Sequence, residues 1–229
     1  MIWIGLDDTD AVGRPGTGHL ARELAVWLGE RFPVFGVTRH QLLQDPRVPM
    51  TAKNSAVAIH LQVDGAKGLA DLAGVVAWWV GTRVAPGSDP GLCLAQEVPE
   101  PVVAFGQRAK GALVTQEEAW GLAARAGLIL QGIGGNGGGV IGALAAVGLA
   151  ASGSDGRFTL CGRLRELRGV QPISALLAAG VARVQAVTGE PLADGWVDTG
   201  GKLRPSLVGG LPVLWVERQG DRWMAVRRD

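Results

Sequence analysis

MIWIGLDDTDAVGRPGTGHLAREL, residues 1–24, places three carboxylates, Asp7, Asp8 and Asp10, within four residues directly after an apolar run. MIWIGL reads as a buried strand. In HLARELAVWLGERF, which follows the glycine-rich GRPGTG, Leu20, Leu24, Ala25 and Leu28 recur at helical spacing. The acids therefore fall at the C-terminal end of a first strand, where open α/β sheets build their sites. The next helix presents free N–H groups and the positive end of its dipole, which suit phosphate. Clustered carboxylates repel one another unless a cation joins them, and Mg²⁺ typically takes one or two together with phosphate oxygens. Asp7, Asp8 and Asp10, followed by Gly16, Thr17 and Gly18, thus point to a metal–polyphosphate site. The plainer reading is a solvated turn in which Thr17 is an ordinary helix N-cap.

Composition narrows the classes. The 229 residues are 47% hydrophobic and 19% charged, as in a soluble globular protein, and long enough for one domain or two small ones. Lys plus Arg number 22 against 21 for Asp plus Glu, so no broad basic surface is expected. Cys93 and Cys161 stand far apart among apolar residues and read as core thiols; no zinc spacing exists. The N-terminus has no basic, signal-like start, so a cytoplasmic location is expected. Residues 126–154 carry no charge, but GGNGGG cuts the run into pieces too short for a bilayer, so a buried helix behind a glycine loop is expected instead.

That loop is the second feature of interest. In GIGGNGGGVIGALAAVG, Gly135, Asn136, Gly137, Gly138 and Gly139 precede the apolar helix, and such a loop lets backbone N–H groups approach an anion. No Gly-Lys-Ser/Thr follows, so it is not a Walker loop. Glycine-mediated helix packing is the competing account. RVPMTAKNSAVAI adds Arg47, Thr51, Lys53 and Asn54 ahead of a strand, with Lys53 or Arg47 able to neutralise phosphate charge, and APGSDPGLCLA adds Ser88 and Asp89.

Elsewhere PVFGVTRHQLL, PGLCLAQE and FTLCGRL read as strands, and SAVAIHLQV alternates as a strand with one wet side. GAKGLADLAGVVAWWV and TQEEAWGLAARAG read as helices, the latter with a Thr115/Glu118 capping box and a stop at Gly127. ISALLAAGVARVQAV reads as helical, and LPVLWVERQGDRWMAVRRD as a hairpin around QGD. The fold class is α/β or α+β.

These pieces, in order, resemble the tRNA(Ile2) 2-agmatinylcytidine synthetase family, in its catalytic N-terminal half. The family's GIDDTD stands here as GLDDTD at 5–10, and its Gly…Thr turn and LA as GTGHLA at 16–21. AKNSAVAI resembles its Arg-Gly-Asn-like stretch before an AVAI strand. Its DPG turn is matched by Asp89-Pro90-Gly91, its GNGRGLIGALAAIG by GNGGGVIGALAAVG, and its PVLYGIRG-like strand by PVLWVERQG. The resemblance implies a kinase-like domain, unrelated to the protein kinases, interwoven with a ferredoxin-like one. The halves would run over roughly 1–62 with 130–190, kinase-like, and 63–129 with 191–229, ferredoxin-like.

It also implies a chemistry. ATP activates the C2 carbonyl oxygen of a tRNA cytidine by phosphorylation, and agmatine displaces the phosphate. Asp7, Asp8 and Asp10 match the metal- and ATP-handling acids, and Thr17 falls on the threonine that becomes phosphorylated. ATP and Mg²⁺ are the implied cofactors. The chain departs from the pattern where the family's GNGRG arginine is Gly138, where a second threonine is Gly18, and where an aromatic is His19, read here as a packing residue. Two cysteines cannot form the family's zinc ribbon, and neither that ribbon nor its OB-fold is expected. A stand-alone small-molecule kinase or ligase, and a non-catalytic nucleotide-binding protein, remain as alternatives.

Overall fold

The computed structural model describes every residue except Val12, Pro49, Thr51, Ala52, 64–67 and Asp229, so Thr51 lies outside the described residues. β1 (Ile2–Asp7) is flanked by β3 (Ser55–Leu61) and β4 (Gly91–Ala95), both antiparallel to it. β2 (Val34–Gln41) extends the sheet beyond β3, and β5 (Ile129–Gly132) extends it beyond β4, again antiparallel. Register brings the motifs together. Asp7 pairs with Gly91, Gly91 with Gly132, and Gln41 with Ser55, so the acid loop, the DPG turn, the second glycine loop and the segment before β3 all meet at one end of the sheet.

Helices cover both faces. α1 (Thr17–Gly29) and α2 (Leu69–Gly81) pack on one side, against Ile2, Ile4 and Leu6 of β1 and Val57, Ile59 and Leu61 of β3. Leu20, Leu24 and Leu28 of α1 are buried there, each contributing about 2 kcal/mol by transfer from water. α3 (Glu100–Ala109), α4 (Gln116–Ala126) and α5 (Val140–Ala151) cover the other side, over the small residues Ala56, Ala58, Cys93 and Ala95. A Cβ on Gly5 would collide with the Ala143 carbonyl, so β1 and α5 touch backbone to backbone. That close approach explains why this face of the sheet is made of alanine and glycine. It also corrects the expectation of a wet side on β3, where Ala56, Ala58 and His60 are buried too.

β6 (Arg157–Leu160) pairs with β2 and carries the sheet onward to β11 (Ser206–Val208), β12 (Leu211–Gln219) and β13 (Arg222–Val226). β10 (Trp196–Asp198) and β7 (Val170–Pro172) complete that path. The QGD hairpin forms as read, with Gln219 opposite Arg222 and Gly220 at φ 61°. ISALLAAGVARVQAV is not one helix. α6 (Ile173–Ala178) ends before Gly180, whose φ of 119° only glycine adopts readily, and β8 (Arg183–Ala186) then pairs parallel to β12 and antiparallel to β9 (Pro191–Leu192). A third core, from Phe158 to Val216, fills this part. Residues 69–126 thus share their cores with β1 and β3, whereas Val197 to Val216 belong to the third. No helix among the described residues is long and apolar enough to cross a membrane.

A buried polar chain ties β2, β3 and the end of α3 to Asp155, just ahead of β6. His40 donates from Nδ1 to Asp155 at 2.9 Å, which leaves its Nε2 to accept from the Thr38 hydroxyl at 2.8 Å. Thr38 Oγ1 in turn accepts from His60 Nε2 at 2.8 Å, and the Lys110 ammonium caps Asp155. Burial pushes His60 down to about 3, with the neighbouring His40 adding to the shift, and burial likewise holds His40 low against the pull of Asp155.

Candidate active site

The motif end of the sheet opens into a cleft of about 820 Å³. Asp7, the last residue of β1, lies in it with its carboxylate against α5; a Cβ on Gly142 would overlap that carboxylate. Burial, and then the charges of Asp8 and Asp10, push Asp7 up to about 7 despite a backbone hydrogen bond from Asp8. Asp8 follows at φ 52°, the one non-glycine residue among those described with positive φ. Its carboxyl is also raised, first by burial and then by Asp89 and Asp10. Asp89 therefore joins the cluster as a fourth acid; its DPG turn marked the position without showing its role.

Thr17 does not cap its helix. Gly16 occupies the N-cap, and Thr17 is the first helical residue, buried against the acid loop. Its hydroxyl donates to Asp10 Oδ1 at 3.0 Å and accepts the Thr9 amide at 3.3 Å. Gly16, Thr17 and Gly18 all line the cleft. His19 also faces it and pairs with Glu23 at 3.4 Å, in place of the packing role read from the sequence.

The second glycine loop is built differently from the expectation. Three of its N–H groups are committed within the protein: Asn136 donates to Asp89 Oδ1 at 2.5 Å, Gly138 to the Asn136 side chain at 2.8 Å, and Gly139 to the Asp89 carbonyl at 2.9 Å. The loop therefore holds Asp89 in place. Asn136, Gly138 and Gly139 line the cleft, while Gly135 and Gly137 do not; these two have φ of 59° and 78° and serve the turn. Gly139 and Gly91 exclude side chains from each other's backbone, so glycine-mediated packing accounts for much of this motif.

Lys53 and Asn54 also line the cleft. The Asn54 side chain donates to the Leu43 carbonyl at 2.8 Å and its own carbonyl accepts from Leu42 at 3.0 Å, so Asn54 fixes the 42–44 segment. Arg47 is instead drawn to Asp45 at 2.8 Å on the surface, which holds that carboxyl down at about 2. Leu42, Leu43, Leu113, Val114 and Ile141 give the cleft an apolar wall of the kind that accepts a nucleobase. Five arginines also line it, none of them singled out in the sequence.

The donor set suits Mg²⁺ carried in with a nucleotide. Among the described residues no three acidic, His or Cys side chains converge into a ready cation cage. Asp7, Asp8, Asp10 and Asp89 would nonetheless supply the one or two ligands that Mg²⁺ needs, with phosphate and water completing its shell.

No family model and no curated relative matches the chain. Among solved structures it is similar to a tRNA fluorescent labeling enzyme, with TM-score 0.56 and 25% identity, and to apo TiaS, tRNAIle2 agmatidine synthetase, with TM-score 0.55 and 25% identity. It is also similar to TiaS in complex with tRNA(Ile2) and ATP, with TM-score 0.54 and 28% identity. Each likeness covers 64% of this chain but only 35% of the first two chains and 36% of the third, so the chain spans about a third of their length. In its ordered motifs and in its fold, the chain resembles the catalytic half of TiaS.

Proposed function

We propose that the cleft transfers the γ-phosphoryl group of ATP so as to activate a carbonyl oxygen for attack by an amine. The observation that carries this reading is the Thr17 hydroxyl, placed at the start of α1 and hydrogen-bonded to Asp10 beside Asp7, Asp8 and Asp89. Asp10 is positioned to take the hydroxyl proton as Thr17 Oγ1 attacks the γ-phosphorus of ATP and the bond to the bridging oxygen breaks, releasing ADP; the phosphoryl group then passes from Thr17 to the carbonyl oxygen of the acceptor, and the amine displaces it as phosphate. The N-terminal amides of α1 would face the phosphates, and the apolar wall would take a base. Mg²⁺, when bound through one or two of the aspartates, would neutralise charge on the phosphate oxygens. A tRNA cytidine as acceptor and agmatine as amine are the substrates that the TiaS likeness favours. A cytoplasmic setting suits them.

The kinase-like and ferredoxin-like division belongs to the same reading. The distribution of cores supports a boundary near residue 155, with 69–126 packed against β1 and β3 rather than with 191–229.

The test is turnover of Mg·ATP in the unaltered protein and in Asp10→Asn and Thr17→Ala. Loss in both variants, with nucleotide binding retained, supports the reading; full turnover in both would refute it.

A further inference from the structure

The cleft has a second charged wall that the acid motif and the glycine loops leave unexplained. Arg22 on α1, Arg39 on β2, Arg157 on β6, Arg204 ahead of β11 and Arg227 after β13 line it. They come from five separate segments, and Arg22, Arg157 and Arg227 lie near enough to act on Arg204. Arg22 donates to the Gly18 carbonyl, one residue from Thr17. Arg204 donates to the Thr159 carbonyl at 3.0 Å, and Arg165 reaches the same oxygen at 3.3 Å from behind. Arg204 is half-buried, and burial together with Arg165, Arg22, Arg227 and Arg157 lowers its guanidinium to about 10. Asp8 is influenced by Asp89 and Asp10, whereas Arg204 is influenced by arginines, and Arg22 by Arg165 as well as by Glu23. Like charges held together in a partly desolvated cleft oppose folding, and a bound oligoanion would offset that cost. Guanidinium forks suit phosphate oxygens in particular.

We propose that Arg22, Arg157, Arg204 and Arg227 form a phosphate subsite for the acceptor, separate from the place of the ATP phosphates, so that the acceptor enters as a phosphorylated nucleotide unit with its base delivered toward Thr17. This rests on the phosphoryl-transfer reading above. The phosphate is that of a free nucleotide or of an RNA backbone; the chemistry recognised is the same.

The experiment is calorimetric titration of the full chain with cytidine, cytidine 5′-monophosphate and a short single-stranded oligocytidylate. It is run with and without a non-hydrolysable ATP analogue and Mg²⁺, and repeated on Arg157→Gln/Arg204→Gln and on Arg227→Glu, the last an exposed position that spares the fold. A charge-assisted contact is worth enough to make the monophosphate bind about 10- to 100-fold tighter than cytidine. That ratio should fall toward one in the double variant and shrink in Arg227→Glu, with affinity for the ATP analogue unchanged. Tighter, more salt-dependent binding of the oligonucleotide assigns the subsite to an RNA backbone; no gain over the monophosphate assigns it to a free nucleotide. A ratio near one in the unaltered protein, or one that survives both variants, overturns the proposal. So does an equal loss of the ATP analogue, which would place the nucleotide's own phosphates on the arginines. Failure of the analogue to bind the unaltered protein would count against the phosphoryl-transfer reading alone, because the cytidine ratio is also measured without it.

Discussion

Thr17 Oγ1 lies 3.0 Å from Asp10 Oδ1 and donates to it, while accepting the amide of Thr9. The hydroxyl is thereby held with its proton toward a carboxylate, as a nucleophile beside its base is held. Thr17→Ala removes two hydrogen bonds and should cost about 1–2 kcal/mol of stability. ATP turnover should fall at least about 100-fold, the usual scale for a positioned base and nucleophile. Thr17→Ser restores the hydroxyl and should recover most of the rate. Steady-state kinetics beside chemical denaturation check this; a serine variant as inactive as the alanine one would count against a hydroxyl role.

Asp8→Asn should separate charge from shape. Asparagine tolerates the positive φ of 52° found at this position, so the backbone need not move. Removing a charge that faces Asp10 and Asp89 should leave the unfolding midpoint unchanged or higher. Mg²⁺-dependent nucleotide affinity should drop at least about tenfold, as for loss of a charged hydrogen-bonding or metal-ligand group. Thermal unfolding with and without Mg·ATP measures both; normal ligand stabilisation in the variant would remove Asp8 from the site.

Gly142→Ala addresses the contact between α5 and Asp7. Its new Cβ would overlap the Asp7 carboxylate, which must shift. The gain in helix propensity partly offsets the crowding, so stability should change by no more than about 2 kcal/mol. Activity should nonetheless fall sharply. Gly148→Ala is the comparison: its Cβ meets the Val102 carbonyl, so it should destabilise while folded molecules keep their activity. Equal activity per folded molecule in the two variants would contradict the account.

His60 provides a stability test remote from the cleft. Its folded value of about 3 lies below the ordinary value of 6.5, so the unfolded chain binds more protons between these limits. Stability contributed by the neutral ring is complete above about pH 6.5 and declines as pH falls toward 3, by about 1 kcal/mol per pH unit for one group. His60→Phe keeps a ring beside Phe35 and Phe158 and should flatten this acid limb. Denaturation at pH 7 and pH 5 gives the difference between the two proteins; parallel curves would show that the ring is not buried neutral.

Local signals were readable. The Thr115/Glu118 capping box and the stop at Gly127 form as read, because each is decided within a few residues. Leu20, Leu24 and Leu28 place α1 for the same reason. α3 and β5 had no such signal. Pro99 and Pro101 suggest a loop, yet Pro101 sits in the first turn of α3, where the missing N–H costs nothing. The acids, Thr17 and Asn136 were legible as candidates because each lies in a dense motif, and all of them line the one cleft. The arginine wall was not, since Arg22, Arg157 and Arg204 are ordinary surface-type residues in sequence, and it takes the pairing of β6 with β2 and β11 to set Arg157 beside Arg39 and the segment that carries Arg204. Gly139 was legible as a special position and Gly142 was not, and whether such a glycine serves a ligand or helix packing depends on the distance of α5 from β1 and β4.

The most direct measurement is incubation of the protein with Mg²⁺ and ATP labelled at the γ-phosphate, without acceptor, followed by phosphopeptide mapping. The account predicts label on Thr17, none in Thr17→Ala, and strongly reduced label in Asp10→Asn. Absence of protein-bound label together with unimpaired ATP turnover in Thr17→Ala, or label on a residue outside the cleft, would contradict it.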